Sequence, residues 1–361
     1  MSGTLEVGDV VGDRYEILQY IGEGGMQFVY AARDRTAGRR VALKTPKNKS
    51  ATKRFKRSAI VAAKVNHPNV AKTLDYLKVG DQRFLIEELI EGEDLAKALL
   101  QESSFLDPYL AAKVFHHLAK GVAAAHHAGV VHRDLKPTNV MIVGGYSIDE
   151  LKVTDFGIAK MAEEELEAAA EGGTATLTTS QTAVGALPYM APEAIESPKE
   201  VTSAADTWSL GAMMFHLMAG SPPFGSGLKA VKAILNANEP SIPPFVTKNP
   251  QFAPLATEIM TLALSCLKKE PGERPTADDL VKSCEELCYT SSRRRTGVVV
   301  RFDFGAYGFI NDGGGDTFFH KGSVYGPECP GKGDRVMYSS FDGGGAPRAH
   351  PVVKLKPNAT A

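Results

Sequence analysis

The sequence predicts two modules of different class. The first is an α+β body, strand-rich before about residue 90 and helix-rich after it, and the second is a small all-β barrel. Three observations carry this. The 361 residues are 43% hydrophobic and 23% charged, which suits more than one packed core and excludes a disordered or fibrous chain. The dominant periodicity moves from short apolar runs to helical spacing near Asp94, and short β-prone runs take over beyond Thr296. The charge divides unevenly: the whole chain carries −1, but residues 291–361 hold ten Lys/Arg against six Asp/Glu and the remainder 31 against 36. A near-neutral total argues against coating nucleic acid over the whole surface, and the basic balance sits in the small module.

Taken in order, Tyr15–Leu18 leads as a strand into a glycine cluster, followed by strand candidates at Phe28–Ala31, Arg40–Lys44 and Phe84–Ile86. Between the last two, Phe55, Ala59, Ala62 and Ala63 fall at helical spacing across 52–65. From Asp94 to Gly129 the pattern is helical, 131–157 returns to strands and loops, and 161–183 is an acidic, then Thr-rich stretch that reads as a mobile segment. Helical patterns dominate Ala204–Leu287, punctuated by Pro222-Pro223 and Pro243-Pro244. Polar, basic Tyr289–Thr296 reads as a linker, its three arginines (293–295) either electrostatic or merely solvated. The expected boundaries are a tail at 1–9, one domain at 10–288, the linker at 289–296 and a second domain at 297–361. Cys266, Cys284, Cys288 and Cys329 are too few and too scattered for a disulfide framework. The N-terminus lacks a signal-peptide profile, and no apolar run is long enough to span a bilayer, so a soluble, cytoplasmic protein with no membrane partner is expected.

Four separated segments converge on phosphoryl transfer. Gly22-Glu23-Gly24-Gly25 lies between two strands, where glycines let backbone N–H groups approach phosphate oxygens; alone it would be only a tight hairpin. Lys44 ends the run Val41-Ala42-Leu43-Lys44, placed to hold α/β-phosphates, although a single strand lysine more often just snorkels. His132-Arg133-Asp134-Leu135-Lys136-Pro137-Thr138-Asn139 is far more specific. It supplies a carboxylate to accept a hydroxyl proton, a lysine for the γ-phosphate and an amide for a metal. Asp155-Phe156-Gly157 adds a second metal ligand.

Their order and spacing, completed by Ala191-Pro192-Glu193, match the protein-kinase signature set, and residues 10–288 resemble a bacterial-type Ser/Thr protein kinase domain. The resemblance implies a two-lobed fold, ATP as phosphoryl donor, and Mg²⁺ (or Mn²⁺) on Asn139 and Asp155. It also implies Lys44 and Lys136 on phosphates, and Asp134 on the Ser/Thr hydroxyl of a protein substrate. It places ATP against Ile21, Gly22, Glu23, Gly24 and Gly25, sandwiches adenine between Val29, Ala42 and Met141, and makes Ile86 the gatekeeper with Glu87 and Leu89 as hinge residues. Asp206–Gly211 resembles the family's buried anchor helix, and the counterpart of Arg274 pairs with Glu193. Arg133 implies a cation awaiting an anion, which phosphorylation of Thr174, Thr176, Thr178, Thr179, Ser180 or Thr182 would supply; the same tract also reads as a plain loop.

Three departures stand out. Gln27 replaces the third glycine of the loop, and Ala186 replaces a threonine that bridges the catalytic Asp and Lys. Ser58 stands where the glutamate partner of Lys44 belongs, and no Asp or Glu occurs between Asp34 and Asp75, an interval with twelve Lys/Arg. Without a carboxylate, Lys44 is expected to be poorly ordered with a depressed pKa. Ser58→Glu should then increase turnover unless another group already orients the lysine. A pseudokinase scaffold that binds nucleotide and nucleic acid is the alternative.

In the second module, Tyr307-Gly308-Phe309-Ile310 and Phe318-Phe319-His320 alternate. Ile310 and Phe319 are expected to point inward, leaving Tyr307, Phe309, Phe318 and His320 on one face. This pattern resembles the cold-shock domain, a five-stranded OB-fold barrel that stacks single-stranded RNA or DNA. Arg301 replaces the usual tryptophan and Lys321 the aromatic after the histidine; with Phe302 they complete the candidate nucleic-acid contacts. A protein-interaction module is the alternative for this barrel.

Overall fold

A computed structural model describes residues 5–23, 27–47, 59–156, 185–290 and 292–357. Ser58, Gly24, Gly25, Gly157 and the whole of 161–183, including the Thr/Ser tract at 174–182, lie outside the described residues.

The N-terminal lobe is a six-stranded antiparallel sheet in the order β1-β2-β3-β4-β6-β5. Its strands are β1 (Val10–Val11), β2 (Tyr15–Glu23), β3 (Gln27–Asp34), β4 (Arg39–Pro46), β5 (Thr73–Val79) and β6 (Gln82–Glu88). Successive side chains alternate across the sheet. One face buries Tyr15, Ile17, Tyr30, Val41, Leu43, Phe84 and Ile86 as a compact apolar core. The opposite face, carrying Val29, Ala42 and Lys44, lines the cleft between lobes. Of the helix expected over 52–65, residues 59–62 are helical.

A small sheet of β7 (Glu93–Asp94), β8 (Val140–Val143) and β9 (Glu150–Val153) floors the cleft. Below it, helices carry the main core: α1 (Pro108–His127), α2 (Pro192–Glu196), α3 (Ala204–Ala219), α4 (Ala230–Asn236), α5 (Pro244–Lys248), α6 (Ala253–Cys266) and α7 (Ala277–Glu286). Asp107 caps α1 by accepting from the backbone N–H of Tyr109 and Leu110, with Pro108 in the first turn. α3 is apolar nearly all round and accordingly buried. Gly211 allows α3 and α6 to meet, since a Cβ there would lie 2.7 Å from the Ala263 carbonyl oxygen and 2.5 Å from Cys266 Cβ.

Beyond the helices, β10 (Arg295–Asp303), β11 (Tyr307–Asn311), β12 (Asp316–His320), β13 (Arg335–Phe341) and β14 (Arg348–Lys354) close into a barrel in the order β10-β11-β12-β14-β13. The barrel has its own core around Val299, Ile310, Phe319, Val336, Tyr338 and Val352. It is not hung on a free linker. Tyr325, Met337, Val353 and Leu355 join the core of the helical lobe, with Tyr325 5.3 Å from the ring of Phe252 and His350 stacked on Phe252 at 5.0 Å. Asn249 Nδ2 donates to the Gly322 and Val324 carbonyls at 2.9 Å each. The linker reading of 289–296 is thereby corrected at its end: Arg295 opens β10, and Arg294 is buried in an ion pair with Asp107 at 2.7 Å.

Candidate active site

The segment 132–139 is held from below by α3. Buried Asp206 accepts from the backbone N–H of His132 (Oδ2, 2.8 Å) and Arg133 (Oδ1, 2.8 Å), and His126 Nε2 lies 2.8 Å from the same Oδ2. These bonds hold Arg133 at φ 69°, a left-handed conformation costing a non-glycine residue on the order of 1–3 kcal/mol. The Arg133 guanidinium donates to the Val201 carbonyl at 3.3 Å. His132 Nε2 lies 2.8 Å from the Thr154 carbonyl oxygen, and its ring packs on Phe156, so the loop and the segment after β9 form one unit.

On that support, Lys136 Nζ donates to both Asp134 oxygens (3.0 and 2.7 Å). Asn139 Nδ2 donates to the Asp134 carbonyl (2.8 Å) and to Oδ2 (3.0 Å). The hydroxyl missing at Ala186 is therefore not needed to join this pair, which is bonded directly. Asp155, at φ 64°, turns its carboxylate toward β4, where Oδ1 accepts from Lys44 Nζ at 2.7 Å. Gln27 Nε2 donates to that same oxygen at 2.9 Å, so the residue replacing a glycine reaches the site itself. Gln27 Oε1 is buried with no hydrogen-bond partner among the described residues.

The expectation that Lys44 lacks a carboxylate partner is overturned. Its ammonium lies 2.6 Å from Glu87 Oε2, and the two side chains are only 8% and 5% exposed. The hinge and gatekeeper expectations shift with it. β6 pairs with β4 so that Leu43 faces Ile86 and Ala42 faces Glu87. Ile86 therefore points away from the cleft into the outer core, and Glu87 takes the cleft position assigned to Ile86. Burial draws the Lys44 ammonium down, but the Asp155 and Glu87 carboxylates outweigh it and leave it above the ordinary lysine range, not depressed. Burial pushes the Asp155 carboxyl up, and the Lys44 charge more than reverses this. For Glu87 burial prevails and its carboxyl is raised.

A hard divalent cation fits the donors present: the Asp155 carboxylate and the Asn139 amide, with remaining places for water and phosphate oxygens. Among the described residues no group of three or more His, Cys, Asp or Glu would hold a metal unaided. The cleft edge shows Ile21 half exposed and Val29, Leu89 and Met141 half-buried. From Lys136 and Thr138 an open groove of about 350 Å³ passes Tyr189 and His216 to Lys356, in the tail after β14. The expected pairing of Arg274 is observed as a two-pronged bond to Glu193 (2.6 and 2.9 Å), with the guanidinium 5.0 Å over the Trp208 ring.

On the barrel, Ile310 and Phe319 are fully buried, and Tyr307, Phe309 and Phe318 are half-buried on the outer face. The ladder aligns Arg301, Phe309, Phe318 and Arg348 across four strands, with Tyr307 opposite His320. Arg301 lies 4.6 Å over the Phe309 ring, and Lys321 is exposed beside His320. Phe302 is half-buried, stacks on Phe319 at 5.8 Å and packs against the barrel core. The register shift between Val299 and Arg301 turns Phe302 inward opposite Gly308, where a Cβ would meet the Phe319 ring at 2.6 Å. The sequence reading missed Phe304, which is 92% exposed and 6.3 Å from the Tyr307 ring.

Residues 15–284 match the protein kinase domain model. The chain is 31% identical over 288 residues to a probable serine/threonine-protein kinase of Clostridium perfringens, covering 78% of this chain and 39% of that one. It is 34% identical over 290 residues to the serine/threonine-protein kinase PkaA of Streptomyces coelicolor (75% and 49%). It is 32% identical over 299 residues to a probable serine/threonine-protein kinase of Lactococcus lactis (81% and 44%). The chain spans half the length of these relatives or less. Among the described residues no helix is long and apolar enough to cross a membrane.

Proposed function

The chain belongs to the protein kinase family, and on that premise we propose that it transfers the γ-phosphoryl of ATP to Ser or Thr hydroxyls of a protein substrate. The observation that carries this is the joint placement of Asp134, Lys136 and Asn139 in one hydrogen-bonded group, facing Lys44 bonded to Asp155. Asp134 accepts the hydroxyl proton as the acceptor oxygen bonds to the γ-phosphorus and the bond to the β,γ-bridging oxygen breaks, releasing ADP. Lys44 holds the α/β-phosphates and Lys136 the γ-phosphate, so most of the barrier reduction is positioning and charge neutralisation. Mg²⁺ on Asn139 and Asp155 would supply further neutralisation of phosphate charge. Val29, Ala42 and Met141 enclose adenine, and the one-residue shift at Glu87 moves the hinge backbone contacts to Glu88 and Ile90. Peptide substrate lies along the groove between Lys136 and Lys356. The scaffold alternative rested on an unpartnered Lys44, and Glu87 removes that motive. The tract holding Thr174, Thr176, Thr178, Thr179, Ser180 and Thr182 is the proposed autophosphorylation site.

For the barrel we propose single-stranded RNA or DNA as ligand, bound on the Arg301–Phe309–Phe318–Arg348 row. Exposed rings stack on unpaired bases at about 1–3 kcal/mol each, and the basic rim meets phosphate. In the full chain, Phe309→Ala with Phe318→Ala is expected to weaken binding of a fluorescent oligo-dT by at least about tenfold, with binding falling as salt rises. Unchanged affinity in the folded double variant, or no oligonucleotide binding at low salt by the parent, favours the protein-interaction alternative. Because the barrel shares its core with the helical lobe, the test uses the whole chain.

A further inference from the structure

We propose that Glu87, on the strand beside Lys44, is the positioning residue that aligns this lysine for phosphoryl transfer, in place of any carboxylate from the helix that follows β4. The proposal rests on the kinase reading above and names the residue that reading leaves without an origin. β4 and β6 are hydrogen-bonded neighbours, with Ala42 opposite Glu87 and Lys44 opposite Leu85. Glu87 and Lys44 are therefore diagonal neighbours on one sheet face, within reach of long side chains. They meet at 2.6 Å, almost wholly buried. The register cannot drift. A one-residue slip of β6 would turn Glu87 into the apolar core around Tyr30 and Leu43 and bring Ile86 into the cleft.

The sequence requires such a substitute. The residues between Asp34 and Asp75 hold no Asp or Glu and, besides Lys44, eleven Lys/Arg, so that interval has no carboxylate to pair with Lys44. Glu87 supplies the charge from within the sheet, and Lys44 in turn holds Asp155 at 2.7 Å. The row Glu87–Lys44–Asp155 thus joins the N-terminal lobe to the aspartate proposed to hold the metal, without needing a carboxylate from the helix. Alignment then persists wherever the β4–β6 ladder is intact, and movement of that helix does not switch it.

The test is a double-mutant cycle on the full chain, reading kcat and the KM for ATP with a thermal melt of each variant. Charge-assisted contacts of this kind are worth about tenfold to a hundredfold in rate. Glu87→Gln is expected to lower kcat by that factor while the KM for ATP changes by less than about threefold. In a Lys44→Met background the added Glu87→Met should cost nothing further, because Glu87 acts only through the lysine. Removing both charges together also keeps the pair foldable should Glu87→Gln alone unfold. Wild-type kcat in folded Glu87→Gln, or a further tenfold loss on adding Glu87→Met to Lys44→Met, overturns the proposal. Absence of Asp134-dependent transfer in the parent chain overturns the kinase reading and this proposal with it, whereas an active parent with an unaffected Glu87→Gln overturns the proposal alone.

Discussion

Asp134→Asn is expected to lower the rate of phosphoryl transfer by about 10²–10⁴, the range for loss of a positioned proton acceptor. The substitution keeps the shape of the side chain but removes the charge that Lys136 and Asn139 now converge on. Lys136 is left facing an amide, so its proposed hold on the γ-phosphate should loosen along with the loss of the base. Mg·ATP affinity should change little, because the proposed nucleotide contacts are Lys44, Asp155 and the walls of the cleft. A single-turnover rate within about tenfold of the parent, in a folded protein that binds nucleotide, would show that Asp134 is not the acceptor.

Asp107→Ala is expected to cost about 3–5 kcal/mol of stability. Asp107 caps α1 and is the buried partner of Arg294, so its removal strips the helix of a cap and leaves a guanidinium in the interior without its carboxylate. The barrel and the helical lobe share a continuous core through Tyr325, Met337, Val353 and Leu355, so both should melt earlier in one transition. Asp107→Leu with Arg294→Met removes both charges and should recover most of the loss. A calorimetric scan showing an unshifted melt for Asp107→Ala, or an early barrel transition separate from an unshifted lobe, would contradict this.

The residues proposed for phosphoryl transfer could be read locally because each sits in a short motif: 132–139 and 155 are close in sequence, and one buried aspartate on α3 holds the backbone of His132 and Arg133. The outer face of the barrel was legible because Tyr307, Phe309, Phe318 and His320 follow the period-two rule within single strands. Three features were not, and each depends on registration between distant segments. Phe84-Leu85-Ile86-Glu87 is buried on both faces, so its alternation is hidden, and only the pairing with Leu43 fixes which residue enters the cleft. A search for the nearest carboxylate on a strand beside Lys44 would have pointed to Glu87. The register shift before Arg301 inverts the strand's facing and turns Phe302 against the barrel core. Arg294 finds its partner 187 residues away, beyond any local pattern.

The most direct test of the account is transfer of γ-³²P from ATP by the full chain, followed by phosphoamino-acid analysis, with Asp134→Asn and Asp155→Ala alongside. The account predicts labelled phosphoserine or phosphothreonine in the parent and a loss of label in both variants. Saturable Mg·ATP binding with no label above that of the two variants would contradict it and leave the cleft as a nucleotide-binding site without transfer.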